Sequence, residues 1–132
     1  MKKIEAIIRP SALDAVCAAL TRRGVEGLTV AHVAGVGREP GHTDRYRGAF
    51  YHVDLLPRVR VELVVTDVQA RPIAVTIIEA ARTGRVGDGL VFITPVDDAI
   101  RIRTAERGVT AISTDGIAEP DRASALSSSA RP

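Results

Sequence analysis

The chain carries the same local pattern twice, and this repeat limits what it can fold into. Ile4-Glu5-Ala6-Ile7-Ile8 precedes one helical segment, and Val61-Glu62-Leu63-Val64-Val65 precedes another. After those segments, Val25-Glu26-Gly27-Leu28 and Gly87-Asp88-Gly89-Leu90 open further apolar runs at matching spacing. Each half is a strand, a helix and a strand. Neither half can bury its own apolar face, so the two must pack as one unit. At 132 residues the chain suits a single domain, and a domain of that size buries roughly 65–70% of the surface its unfolded form exposes.

Within each half the periodicities are clear. Residues 2–9, KKIEAIIR, predict a strand that Pro10 ends. Over 11–23, Leu13, Val16, Cys17 and Leu20 share one helical face. Ser11 and Asp14 suit the first turn, Arg22 and Arg23 the last, and Gly24 the stop. Strands are expected over 28–36, 58–66 and 90–95, the second alternating Val59, Val61, Leu63 and Val65. Residues 67–82 predict a helix with a stripe of Ile73, Ala74, Ile77, Ile78 and Ala81, and with Pro72 near its start. Residues 98–103 read as a short strand or extended arm. Two such units give βαββαβ, an α+β sandwich of the ferredoxin-like kind, with both helices on one face of a four-stranded antiparallel sheet. Ile7 and Val64 leave apolar residues on the other face. Without a third layer in the sequence, the expected cover is another copy of the chain.

Two stretches stand outside this core. Residues 37–57 form a long polar insertion, and a connection of that length inside a domain is usually functional or disordered. Residues 113–132 are small, polar and Pro-containing, and are expected to be a disordered tail. The lone Cys17 excludes an internal disulfide and reads as a small core residue. There is no leader-like apolar run and no stretch near the roughly 20 apolar residues of a membrane span. A cytoplasmic protein is expected.

The candidate chemistry is anion binding. Thr83-Gly84-Arg85-Val86-Gly87-Asp88-Gly89 has glycines that permit positive φ and close backbone approach, as a phosphate cradle requires, although an ordinary connection ending in glycine would look the same. Arg101 and Arg103, two apart on an extended segment, would share a face, and two neighbouring guanidinium groups favour a polyphosphate between them. A solvated strand edge is the plainer alternative. Gly35-Val36-Gly37-Arg38 is a third such element. Of 18 basic residues 16 are Arg, the residue suited to gripping phosphate or carboxylate, although a GC-rich genome alone would give the same bias. A net charge of +2 is too small to argue for nucleic acid. His32, His42 and His52 lie ten apart without a Cys partner, a poor basis for a metal site.

Longer motifs carry a resemblance. Gly37-Arg38-x-x-Gly41-His42-Thr43-x-x-Tyr46-Arg47-Gly48-Ala49-x-Tyr51-x-Val53-Asp54-x-Leu56-Pro57 resembles the T-loop of the nitrogen-regulatory PII signalling proteins. Residues 82–90 resemble that family's B-loop, 98–108 its C-terminal segment, and Met1 to Pro10 its opening strand. The likeness spans residues 1–112. It implies a homotrimeric regulator, not an enzyme, that binds ATP or ADP in clefts between subunits. Ile7, Glu62 and Val64 would frame the adenine, with Thr29 beside it. Gly37, Arg38, Gly87, Asp88 and Gly89 would surround ribose and phosphates, and Arg101 and Arg103 would reach in from the neighbouring subunit. Members also sense 2-oxoglutarate beside Mg-ATP, here at Gly37, Arg38, Glu39, Gly41 and Arg58. Tyr51 matches the tyrosine that a nucleotidylyltransferase modifies in many members. The T-loop docks on transporters or metabolic enzymes, which would recruit the protein to the inner face of the membrane when the partner sits there.

Three positions depart from that pattern. Glu39 stands where the family has Gln. It could ligate Mg but would repel 2-oxoglutarate by about 1–4 kcal/mol, and Pro40 stiffens its backbone. Arg58 replaces a Lys, keeping charge but changing shape. Leu90 replaces a Lys directed at the phosphates, which removes a charge-assisted bond worth roughly 1.5–3 kcal/mol. Weakened 2-oxoglutarate sensing and an altered ATP/ADP preference are expected. Other classes on the same fold are a metal-tolerance trimer and a small acylphosphatase-like hydrolase. The first lacks a ligand cluster. The second lacks a nucleophile–base pair, and the chain has no Asn.

Overall fold

A computed structural model describes residues 1–37, 42–46, 49–53 and 55–113, with the backbone only for 42–46 and 49–53. Strand β1 (Lys2–Ile8) leads through a 3-10 turn at Pro10–Ala12 into helix α1 (Leu13–Arg22). Strand β2 (Thr29–Gly35), a hairpin of β3 (His42–Tyr46) and β4 (Ala49–Val53), and strand β5 (Leu56–Val65) follow. Helix α2 (Asp67–Ala81), strand β6 (Gly89–Pro95) and a single helical turn, α3 (Val109–Ile112), complete the order.

The main sheet runs β2-β5-β1-β6, and each pairing is antiparallel. This is the α+β arrangement expected of two strand–helix–strand halves. The repeat has a direct physical expression: the two apolar pentads are neighbouring central strands, with Ile4 opposite Leu63 and Ala6 opposite Val61. Because side chains alternate along a strand, Ile4, Ala6, Ile8, Val59, Val61, Leu63 and Val65 share the helix-covered face, and all are buried. Val16 and Leu20 of α1 and Ile73 and Ile77 of α2 meet them.

The helix ends follow from local chemistry. The Thr66 side chain and Gln69 form a capping box at the start of α2, satisfying orphan amides reciprocally. Gly24, at φ +90°, ends α1, and the Val25 amide reaches back to the Leu20 carbonyl at 3.0 Å.

Several expectations need correction. Ser11 does not cap α1; it lies in the 3-10 turn, and Ala12 occupies the cap position without a side-chain bond. Pro72 is inside α2, not at its start. Its carbonyl accepts from Thr76 Oγ1 at 2.9 Å and from Arg23 Nη2 at 3.4 Å, tying the two helices together there. Cys17 is only half-buried and stays outside the core cluster. Ile78 is 39% exposed. Within the described residues of the insertion, β3 and β4 pair from His42 opposite Val53 to Tyr46 opposite Ala49. Residues 98–103 form no strand. One bridge joins Ile100 to Arg107, and 102–104 are a turn. The tail from 114 onward lies outside the described residues.

Ile77 is fully buried between α2 and the sheet. Truncation to Ala should cost about 2–5 kcal/mol, read as a lower urea midpoint with an unchanged slope.

Candidate functional site

The sheet face opposite the helices holds the residues singled out for the base. Thr29 lies directly across from Glu62, Val64 across from Lys3, and Ile7 between Arg60 and Leu90. All four candidates therefore share this face. It is half apolar: Leu90 is 65% exposed and Phe92 47%. Its charges are partly matched. Lys3 Nζ lies 2.8 Å from Glu62 Oε2 and 3.9 Å from Glu5 Oε1. That hydrogen bond to Lys3 holds the Glu62 carboxyl below its ordinary range and raises the Lys3 ammonium.

At one end of this face sits the glycine loop between α2 and β6. Asp88 organises it. Its carboxylate accepts from the Thr83 and Gly84 amides, each at 2.8 Å, from the Thr83 hydroxyl and from Arg9 Nε at 3.2 Å. The Thr83 hydroxyl bond, then the two amides and Arg9, hold its carboxyl far below the usual carboxylate range. Asp88 is thus turned into its own loop, where it occupies the Thr83 and Gly84 amides. Arg9 Nη2 also grips the Val86 carbonyl at 2.7 Å, which fixes the loop to the end of β1. Gly84, Gly87 and Gly89 all have φ near +90° to +110°. At Gly89 a Cβ would fall 1.7 Å from the Ile7 carbonyl oxygen, so only glycine lets this loop lie against Ile7.

The two C-terminal arginines are not side by side on a strand. Arg101 Nη2 donates to the Ser113 carbonyl at 2.5 Å and to the Thr110 carbonyl at 3.4 Å. Its Nε lies 3.2 Å from Glu106 Oε1, yet is buried without an aligned hydrogen bond. Arg103 stands in the exposed turn. The turn closes through the Ala105 amide on the Arg101 carbonyl at 2.7 Å and the Arg101 amide on the Glu106 carbonyl at 2.8 Å, with Ala105 at φ +63°. Arg107 pairs with Asp98 and so braces the segment instead of joining a cation cluster.

At the base of the hairpin, Arg58 is opposite Val33, and its Nη1 donates to the Pro57 carbonyl at 2.7 Å. Gly37 follows β2. Arg38, Glu39 and Gly41 lie outside the described residues. Tyr51 pairs through its backbone with Asp44, and its side chain is outside them too. Sequence reasoning missed Arg9 and Thr83 as loop-formers. The Thr-Gly pair five residues before an Asp was the available signal for the second; for Arg9 there was none, since its partner is 79 residues away. Among the described residues no three His, Cys, Asp or Glu side chains gather, and no helix is long and apolar enough to cross a membrane.

Comparison with known proteins places this arrangement. The family model described as "Nitrogen regulatory protein P-II" matches residues 1–106. The chain belongs to the P-II family. Proteins with that name from Cereibacter sphaeroides and Rhizobium meliloti are each 53% identical over 112 residues, which is 85% of this chain and 100% of each relative. That of Azospirillum brasilense is 52% identical over the same span. These P-II proteins are named as regulators, which is consistent with a regulatory chain and not an enzyme.

The Asp88 carboxylate gives an acid-sensitivity test. Its native pKa is depressed, so its contribution is complete at neutral pH and is lost as pH falls below the unfolded value of 3.8. The stability that Asp88 contributes should therefore fall as pH drops below 3.8, and Asp88→Asn should be less stable at neutral pH and show a shallower loss on acidification. Urea unfolding between pH 7 and pH 2 checks this.

Proposed function

We propose that this P-II family member is a nucleotide-responsive regulator: a homotrimer that binds ATP or ADP between subunits and acts on a transporter or metabolic enzyme through the segment carrying β3 and β4. The observation that carries the reading is the convergence at the Ile7 end of the uncovered sheet face. There the Gly87–Gly89 backbone, Leu90 and Ile7 meet, with Thr29, Glu62 and Val64 further along the same surface. The donor chemistry suits an adenine nucleotide. An apolar surface with threonine and glutamate at hand can take the base, and Arg101 and Arg103 offer forked cations for phosphates. Because Asp88 already uses the Thr83 and Gly84 amides, Gly87 and Gly89 are the backbone positions left to approach phosphates. Mg would enter with ATP, through Glu39.

Leu90 places an aliphatic side chain, largely exposed, where phosphates would pass. It offers no charge to discriminate a third phosphate, so ATP and ADP should bind with similar affinity. Glu39 weakens 2-oxoglutarate sensing by like-charge repulsion, and Arg58 keeps a cation at that site. A cytoplasmic setting and modification of Tyr51 by a nucleotidylyltransferase belong to the same reading.

Titration calorimetry tests it. ATP and ADP should each bind, and 2-oxoglutarate should add little to ATP affinity. Arg103→Ala should weaken ATP binding about tenfold or more, the effect of losing a charged hydrogen bond, without shifting the thermal midpoint. Absence of adenylate binding would refute the reading, and strong cooperativity between ATP and 2-oxoglutarate would refute the role given to Glu39.

A further inference from the structure

Arg101 has two claims on it. The nucleotide reading assigns its guanidinium to phosphates, whereas the structure ties that guanidinium to the end of its own chain. Nη2 spans the carbonyls of Thr110 and Ser113, and Glu106 sits beside Nε. These carbonyls belong to the last helical turn, where carbonyls have no helical partner and a cation is favoured. Little else holds that turn. Val109–Ile112 buries no residue, and Val109 is 51% exposed. Its backbone closes through the Ala111 amide on Gly108 at 2.9 Å and the Ser113 amide on Val109 at 3.1 Å. An isolated turn of this length does not persist without tertiary contacts.

We propose that Arg101 is a switch shared between a polyphosphate and the C-terminal turn, holding Val109–Ser113 in place when no anion is bound and releasing it when one is. This rests on the nucleotide reading above and extends it to a consequence within this chain. A phosphate oxygen is a stronger acceptor for guanidinium than a peptide carbonyl, so the exchange runs toward the anion. Two features ease departure. The Nε proton has no aligned hydrogen bond to give up, and Ala105 holds a left-handed conformation, unfavourable for alanine, that the Arg101 and Glu106 backbone bonds maintain. Glu106 is paired with Nε at 3.2 Å, so the anion must also displace this carboxylate to take Arg101.

Hydrogen exchange with mass spectrometry on the full-length protein tests the switch. Peptides covering 108–113 are compared without ligand, with ATP at a concentration that calorimetry shows to be saturating, with inorganic tripolyphosphate and with adenosine. ATP and tripolyphosphate should speed exchange there by about tenfold or more, the scale of losing one charged hydrogen bond, and adenosine should not. Arg101→Gln, whose shorter neutral amide cannot replace the charged bonds from Nη2, should show the fast exchange without ligand while core peptides of β1 and β5 remain unchanged. If ATP binds by calorimetry and exchange at 108–113 stays constant, the switch is wrong and the nucleotide reading stands. If calorimetry shows no binding of ATP or tripolyphosphate, the nucleotide reading fails, and the switch fails with it.

Discussion

Helices cover the four-stranded sheet on one face only, and everything else follows from that asymmetry. The covered face takes every second residue of β1 and β5 and forms a wholly aliphatic core, with Ile4, Ile8, Val16, Leu20, Val59, Val61 and Ile77 at its centre. The alternate residues are left on the other side. They mix aliphatic, aromatic and charged side chains, and the Lys3–Glu62 pair lies among them. A surface with Leu90 and Phe92 so exposed is unusual for a solitary chain. It is well suited to meeting further copies of itself while leaving crevices in which a ligand can lie.

Two devices shape the backbone segments to which the proposed function assigns the ligand. One is the glycine loop, whose shape comes from an inward-facing carboxylate and from a contact with Ile7 that excludes every side chain. The other is the C-terminal segment, a tight turn braced by the Asp98–Arg107 pair and by Arg101. The first is rigid by construction. The second is held by arginine side chains, and the switch proposed above rests on one of them, Arg101.

The repeat made the four-stranded antiparallel sheet and its helix-covered core legible, because alternation and the 3.6-residue period report directly which side of an element is buried. The Thr66-x-x-Gln69 box was legible in principle and went unread. What the residues alone did not reveal depended on contacts distant in sequence or on backbone detail. Arg101 and Arg103 looked equivalent by spacing, but a turn with Ala105 at positive φ sends them to different places. Asp88 stood out by its place between two glycines, but its loop-building bonds to Thr83, Gly84 and Arg9 were not legible. Pro72 was expected near the start of its helix and lies inside it, since α2 begins five residues earlier. The identity of the family came from long combined motifs that no periodicity rule supplies.

Self-association through the uncovered face is the central claim, and native mass spectrometry of the purified full-length chain tests it most directly. The account predicts a species of three times the 14.0 kDa chain mass that persists on dilution and falls apart when Phe92, half-exposed on that face in the edge strand β6, is replaced by Glu. A chain that remains at its single mass at every concentration, with or without adenylates, would contradict it.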